Sequence, residues 1–231
     1  MTSVSVVDTS NSEHNVWSPC RVTGVIDWTV DITAAEAASS AVISGGTFNL
    51  PGAPGYRVVC TIEVENWTKY PLMAPDASNN GGIIKSPPVV VLPGQREQFI
   101  AHKTPDTATG TYGTASWLIS SARKRAVVMW SCPYSFDFHS NWLGVGLTDR
   151  GYTDHRNWYR QMYYRSSGRR GLNFRRGEYY YHTRTISIQD SEFEVVGIMG
   201  TSHKANVRII VRPRELLDLA ENLRTRVRNL L

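Results

Sequence analysis

Hydrophobic and polar positions alternate along much of the chain beyond residue 56. Val58, Cys60, Ile62 and Val64 interleave with Arg57, Thr61, Glu63 and Glu65, the period-two signature of a strand with one wet face. Further β-type segments follow at residues 96–102, 111–120, 125–132, 143–148, 184–189, 192–199 and 205–211. Turn residues separate them, among them Asn80-Gly81-Gly82, Pro87-Pro88, Pro93-Gly94 and Thr104-Pro105-Asp106. Many short strands at this spacing predict a mainly β domain, a sandwich or a barrel.

Three segments break the alternation. Residues 25–43 lack Pro and Gly, are rich in Ala and end at Gly45-Gly46, which predicts a helix with a stop signal. A helical wheel groups Val25, Trp28, Ile32, Ala35 and Ile43 on one side, with Asp27 and Asp31 away from it and Glu36 intruding on it. Residues 154–165 form a second helix candidate. Thr153 or Asp154 can cap its start, Gly168 follows its end, and Trp158, Tyr159, Met162 and Tyr163 make one stripe. Residues 214–231 predict a C-terminal amphipathic helix with Leu216, Leu217, Leu219, Leu223, Val227 and Leu230 as its apolar positions. The expected organisation is a flexible arm at 1–22, a sandwich domain at 23–213 that includes an N-terminal helix at about 23–44, and a helical extension at 214–231.

Composition narrows the class without fixing it. The chain has 231 residues, of which 41% are hydrophobic and 19% charged, neither collagen-like nor disordered. No window of about 18 apolar residues suggests a membrane-spanning helix. The opening 12 residues lack the blocks of a signal peptide, which predicts a cytosolic chain or a mature form without its leader. Cys20, Cys60 and Cys132 are too few for a disulfide scaffold and match no zinc spacing. The six His are scattered, and there is no nucleophile elbow or phosphate-binding Gly loop, so neither an enzyme nor a metal site nor a cofactor is expected.

Charge is more informative in its distribution than in its total of +5. Residues 150–184 hold nine Arg against Asp154 and Glu178, together with seven Tyr. Arg interleaved with Tyr suits nucleic acid, a phospholipid surface, or a solvated face over buried rings. Tyr159, Tyr163 and Tyr164 can wall a cavity whose π faces attract a quaternary ammonium such as choline, or can dock the helix into the core. The segment 131–142, SCPYSFDFHSNW, puts four large rings between two strands. Such a loop can insert rings at a bilayer interface or close the end of a sandwich.

At these residues the sequence resembles the actinoporins, α-pore-forming cytolysins of cnidarians with relatives in molluscs. SCPYSFDFHSNWLGV is similar to the family's S-V-P-[YF]-D-Y-N-W-Y-S-N-W-W loop, WYRQMYY to its M-Y-x-x-L-Y-Y helix, and FRRGEYYYHTR to its F-R-G-D-N-G-W-H segment. The resemblance covers about residues 56–213. It implies a β-sandwich flanked by two helices, secretion as a soluble monomer, binding to sphingomyelin and other membrane lipids, with cholesterol dependence left open, and homo-oligomerisation with insertion of the N-terminal helix. It implies a phosphocholine site of Ser78, Tyr112, Ser131, Pro133, Phe138, Tyr159, Tyr163 and Tyr164, membrane-facing Phe138, His139 and Trp142, and a protomer contact at Ile84. Asp27 and Asp31 would line a cation-selective pore. Phe138 and His139 stand where the family has Trp and Tyr, and Arg176-Gly177-Glu178 where it has Arg-Gly-Asp. The alternative is a lectin-like or headgroup-binding module that does not perforate; a nucleic-acid partner is not expected.

Overall fold

The run Ala126-Val127-Val128-Met129-Trp130 does not alternate as its neighbours do. A computed structural model, which describes residues 25, 26, 28, 32–168 and 171–229, accounts for this: the strand carrying the run is covered on both faces. The strands are β1 (Ile43–Ser44), β2 (Val59–Asn66), β3 (Leu72–Gly81), β4 (Ile83–Ser86), β5 (Gln95–His102), β6 (Thr111–Ile119), β7 (Lys124–Cys132), β8 (Asn141–Thr148), β9 (Leu172–Tyr179), β10 (Ile186–Gln189), β11 (Phe193–Met199) and β12 (Lys204–Pro213). The helices are α1 (Ile32–Ser40), α2 (His155–Tyr164) and α3 (Glu221–Arg228).

Two sheets pack face to face. One has the order β1-β5-β2-β12-β11-β10, with β4 also paired to β5, and the other the order β3-β6-β7-β8-β9. Between them lies the main core, including Ile62, Phe99, Trp117, Trp130, Val145 and Ile209. Every residue of β7 is buried, because α2 covers its outer side: Trp158, Tyr159 and Met162 pack there on Val127, Met129, Leu172 and Phe174. The backbone at Gly144 permits the close approach, since a Cβ there would lie 2.9 Å from the Met162 Cε. The β-sandwich with flanking helices and a further C-terminal helix is the architecture expected from the sequence.

The outer face of the other sheet carries α1, α3 and the chain around them. Trp28, Ala34, Ala37, Ala38, Trp67, Leu219, Leu223 and Val227 form one cluster. Here the structure corrects the expected helices. The described helical part of the N-terminal segment is nine residues long. Val25 instead bridges to Glu215, Ile26 N–H donates to the Arg214 carbonyl at 2.7 Å, and Ile43 pairs with Gln95 in β1. Backbone groups spent on those pairings are unavailable to a helix. The buried side of α1 is a stripe of small residues, Ala34, Ala37 and Ala38, while Val25, Ile32 and Ile43 are exposed. The C-terminal helix is likewise shorter than expected. Leu216–Asp218 is a 3-10 turn, and the chain then runs extended because Leu219 bridges to Thr68 and Ala220 N–H donates to the Trp67 carbonyl. Leu217 is exposed rather than buried. The arm at 1–22, Asp27, Asp31 and Leu230 lie outside the described residues.

Among the described residues no helix is long and apolar enough to cross a membrane. Cys60 and Cys132 are buried free thiols facing one another in the core, and burial pushes the Cys60 thiol well up. Asn66 is fully buried and donates to the Tyr70 and Val91 carbonyls at 2.7 and 3.0 Å. Its side chain is therefore structural in the folded chain.

Candidate functional site

An open cleft of about 580 Å³ lies where the C-terminal end of α2 meets the ends of β6 and β7. The amphipathic stripe of α2 sets its geometry. Positions 158, 159 and 162 anchor the helix, so Tyr163 is left half-buried and Tyr164 exposed at the edge. At the other end of the helix the His155 Nδ1 lies 2.7 Å from an Asp76 carboxylate oxygen on β3. At its C-terminal end the Arg176 guanidinium on β9 donates to the Tyr163 carbonyl.

The cleft is built of stacked rings. Tyr159 and Tyr163 are near parallel, 13° apart with centroids 5.3 Å apart. Tyr112 on β6 sits 5.2 Å from Tyr159, and Tyr164 meets Tyr163 edge to face at 5.0 Å. Ser131 and Pro133 complete the walls with Tyr134, and Phe138 and His139 form the rim. Burial pushes the Tyr159 phenol far above its ordinary value, with the Ser131 hydroxyl acting the other way. Burial and the neighbouring Tyr164 likewise raise Tyr163 against the pull of Arg176. Both phenols therefore stay neutral at physiological pH, and the cleft offers π faces and hydroxyls without a carboxylate among its walls.

Seven of the eight residues expected in the headgroup site thus come together: Tyr112, Ser131, Pro133, Phe138, Tyr159, Tyr163 and Tyr164. Ser78 is on β3 opposite Thr114 and does not line the cleft. Of the expected membrane-facing residues, Phe138 is 82% exposed and His139 is exposed. Trp142 is half-buried, with the Arg176 guanidinium 4.6 Å over its ring and Tyr163 at its edge. Ile84 is half-buried against the main core, and its neighbour Ile83 is the exposed one. Two rings were missed. Tyr180 and Tyr181 follow β9, Tyr180 contacts Phe136 of the loop at 6.2 Å, and Tyr181 is 80% exposed. The pairing of Asn141 with Tyr179 brings the two loops to one end of the molecule. The signal available in the sequence was the Tyr179-Tyr180-Tyr181 run itself.

One glycine makes the cleft possible. A Cβ at Gly110 would lie 2.0 Å from the Cys132 carbonyl oxygen and 3.0 Å from the Pro133 Cα, both backbone atoms with little freedom to retreat. Gly110→Ala is expected to push the loop after β7 away from β6 and to widen the cleft, while the core keeps its cooperative unfolding; a structure of the variant beside a thermal melt checks both.

The class of protein is now defined: a β-sandwich with helices on both outer faces and an open, tyrosine-walled cleft at one end. Residues 88–212 match the family model of sea anemone cytotoxic proteins. The chain is 42% identical over 187 residues to Tereporin-Ca1 of Terebra anilis, covering 79% of this chain and 96% of the relative. It is 38% identical over 204 residues to Echotoxin-2 of Monoplex parthenopeus, covering 84% and 73%. Among solved structures, the lipid binding protein Nakanori has a similar fold, with a TM-score of 0.54 at 14% identity, covering 78% of this chain and 79% of that one. The chain belongs to the actinoporin family of pore-forming cytolysins.

Proposed function

We propose that this protein binds sphingomyelin-containing bilayers through the tyrosine cleft and the rings around it, oligomerises, and inserts its N-terminal segment as the wall of a cation-selective pore. The observation that carries the reading is the stacked pair Tyr159 and Tyr163 with Tyr112 tilted against Tyr159, bordered edge-on by Tyr164 and opening beside the protruding Phe138. Neutral π faces attract a quaternary ammonium, and hydroxyls at the same cleft can donate to the attached phosphate. Phe138, Tyr164 and Tyr181 are large rings with their surfaces in solvent, and rings of this kind favour the bilayer interface.

The N-terminal segment is held in a way that suits release. The buried side chains of its helix are all Ala, and the large side chain that holds the segment is Trp28, whose ring meets Trp67 at 5.4 Å and whose indole N–H donates to the Pro213 carbonyl at 2.8 Å. Hydrogen bonds at Ile26, Ser39 and Ala41 supply the rest. Val25, Ile32 and Ile43 already face outward. A span of the hydrocarbon layer takes roughly 20 helical residues at 1.5 Å each, so the segment would have to lengthen its helix as it leaves. Asp27 and Asp31 would then face the lumen.

Sedimentation with vesicles of phosphatidylcholine, with and without sphingomyelin, tests the recognition step. Phosphatidylcholine carries the same phosphocholine, so a preference for sphingomyelin has to come from the amide and hydroxyl of its backbone beside the headgroup. Binding is expected only with sphingomyelin, and to weaken by less than about threefold between 0.1 and 0.5 M salt, because a net-neutral headgroup held by rings releases few counterions. Equal binding to both vesicle types, or a loss of several orders of magnitude in salt, would count against it.

A further inference from the structure

A second hollow, of about 560 Å³, lies on the other side of Tyr164, and its chemistry is the opposite of the first. Tyr164 is the shared partition. The remaining walls are polar and charged: Asp154, Asn157, Arg160, Gln161 and Arg165. The one acid among them is already engaged. Asp154 accepts from Asn157 Nδ2 at 2.8 Å, from Gln161 Nε2 at 3.0 Å and from the Tyr152 hydroxyl at 3.2 Å. Neither Arg160 nor Arg165 pairs with it or with any other acid among the described residues, and neither does Arg156 one turn back.

Six basic residues elsewhere among the described residues are neutralised by an acid, whereas those of this hollow are not. Lys69, Arg96, Lys124, Arg150, Arg208 and Arg212 each meet a carboxylate within 3.1 Å. The unmatched guanidinium groups of α2 are gathered on its exposed side, beside the aromatic cleft. A guanidinium offers parallel N–H donors that fit two oxygens of a phosphate. Two of them around one hollow, with the only carboxylate there occupied by three donors, leave a net positive recess.

We propose that this hollow takes the phosphate of an anionic phospholipid lying next to the lipid held in the tyrosine cleft, so that each protomer engages two different headgroups at once. The proposal rests on the reading of the tyrosine cleft as a headgroup site. A lipid is the source, rather than a dissolved anion, because the partition Tyr164 is 71% exposed and Phe138 at the rim is 82% exposed; rings seated at a bilayer surface carry the hollow into the headgroup layer. Nucleic acid is disfavoured because the hollow is a small recess beside a rim of apolar rings, not a continuous basic track.

The test compares vesicles of fixed sphingomyelin content in phosphatidylcholine, with and without about 20 mol% phosphatidylserine. Each basic group near an anionic surface contributes about fivefold in affinity. The native protein is expected to bind the anionic vesicles about twenty-fivefold more tightly at about 0.1 M salt, an advantage that disappears at about 0.5 M as screening shortens its range. The Arg160→Gln/Arg165→Gln variant should lose that advantage and keep native affinity for the uncharged vesicles; these exposed side chains make no ion pair whose loss would unfold the protein. Equal affinity of the native protein for both vesicles, or an advantage that survives the double substitution, would overturn the proposal. So would loss of the advantage on adding millimolar inorganic phosphate at constant ionic strength, since the site would then take the dissolved ion. Tyr163→Ala separates this proposal from the reading it rests on. It should weaken binding to both vesicle types and leave the ratio between them unchanged; if sphingomyelin binding is unaffected by Tyr163→Ala while the Arg-dependent advantage persists, the cleft reading fails alone.

Discussion

Dye release should stop when the N-terminal segment is fastened to the C-terminal helix and resume when the fastening is cut. Asn222 on α3 donates to the Ala41 carbonyl at 2.9 Å and also to the Gly94 carbonyl at 3.2 Å, so its side chain is the staple between the end of α1 and the body of the protein. Ala38 in α1 and Leu223 on α3 share one buried cluster, so an Ala38→Cys/Leu223→Cys pair in a Cys20→Ser background, joined by a disulfide or a short reducible bis-thiol linker, would fasten the helix itself, with Cys60 and Cys132 protected by burial. The oxidised protein is expected to bind sphingomyelin vesicles normally and to release less than about one hundredth of the native amount of dye, since a tethered segment cannot line a pore that takes roughly 20 residues to span. Reduction should restore release. Full release from verified oxidised protein would mean that the segment between α1 and the sheet does not have to leave, and the pore would have to be built from another element.

The second large effect concerns Tyr163. Its ring stacks on Tyr159, meets Tyr164 edge to face and touches the edge of Trp142 at 6.2 Å, so Tyr163→Ala removes the middle of the cleft and leaves three rings unsupported. A loss of about 1–2 kcal/mol, or roughly five- to thirtyfold in affinity for sphingomyelin vesicles, is expected from the missing cation–π and packing contributions. Tyr163→Phe keeps the ring and should cost less than about threefold unless the hydroxyl holds the phosphate. Affinity within error of native for a folded Tyr163→Ala protein would remove this residue from the site.

The strands that alternate were legible in the sequence to within a residue or two, because one face of each looks into the shared core. β3 and β9 were not. β3 runs Leu72-Met73-Ala74-Pro75-Asp76 into Asn79-Asn80-Gly81, with Ala74 at a φ of 43° and two register shifts against β6. Proline and irregular backbone are tolerated there because it is an edge strand paired on one side. β9 is the other edge of the same sheet, and its arginines mask the apolar positions Leu172 and Phe174 that pack under α2. The tyrosine cleft was legible because three rings within six residues of one helix have few places to go. What no local pattern carries is the partnership of the two chain ends. β2 and β12 are parallel neighbours, a pairing between residues about 145 apart, and it is this pairing that carries the segment after β12 to the place where Trp28 and α1 are received. The expected side of α1 was wrong for the same reason. The wheel grouped the large residues, whereas the actual partners, Leu219 in the extended chain and Leu223 on α3, face a stripe of alanines.

The most direct test of a sphingomyelin-dependent pore is the release of a trapped dye from vesicles of phosphatidylcholine with and without sphingomyelin, with bound protein measured on the same samples. Binding and release that both require sphingomyelin, with release rising more steeply than in proportion to bound protein because several protomers must assemble, are the predicted result. Sphingomyelin-dependent binding with no release at saturation would contradict it and leave a headgroup-binding module that does not perforate.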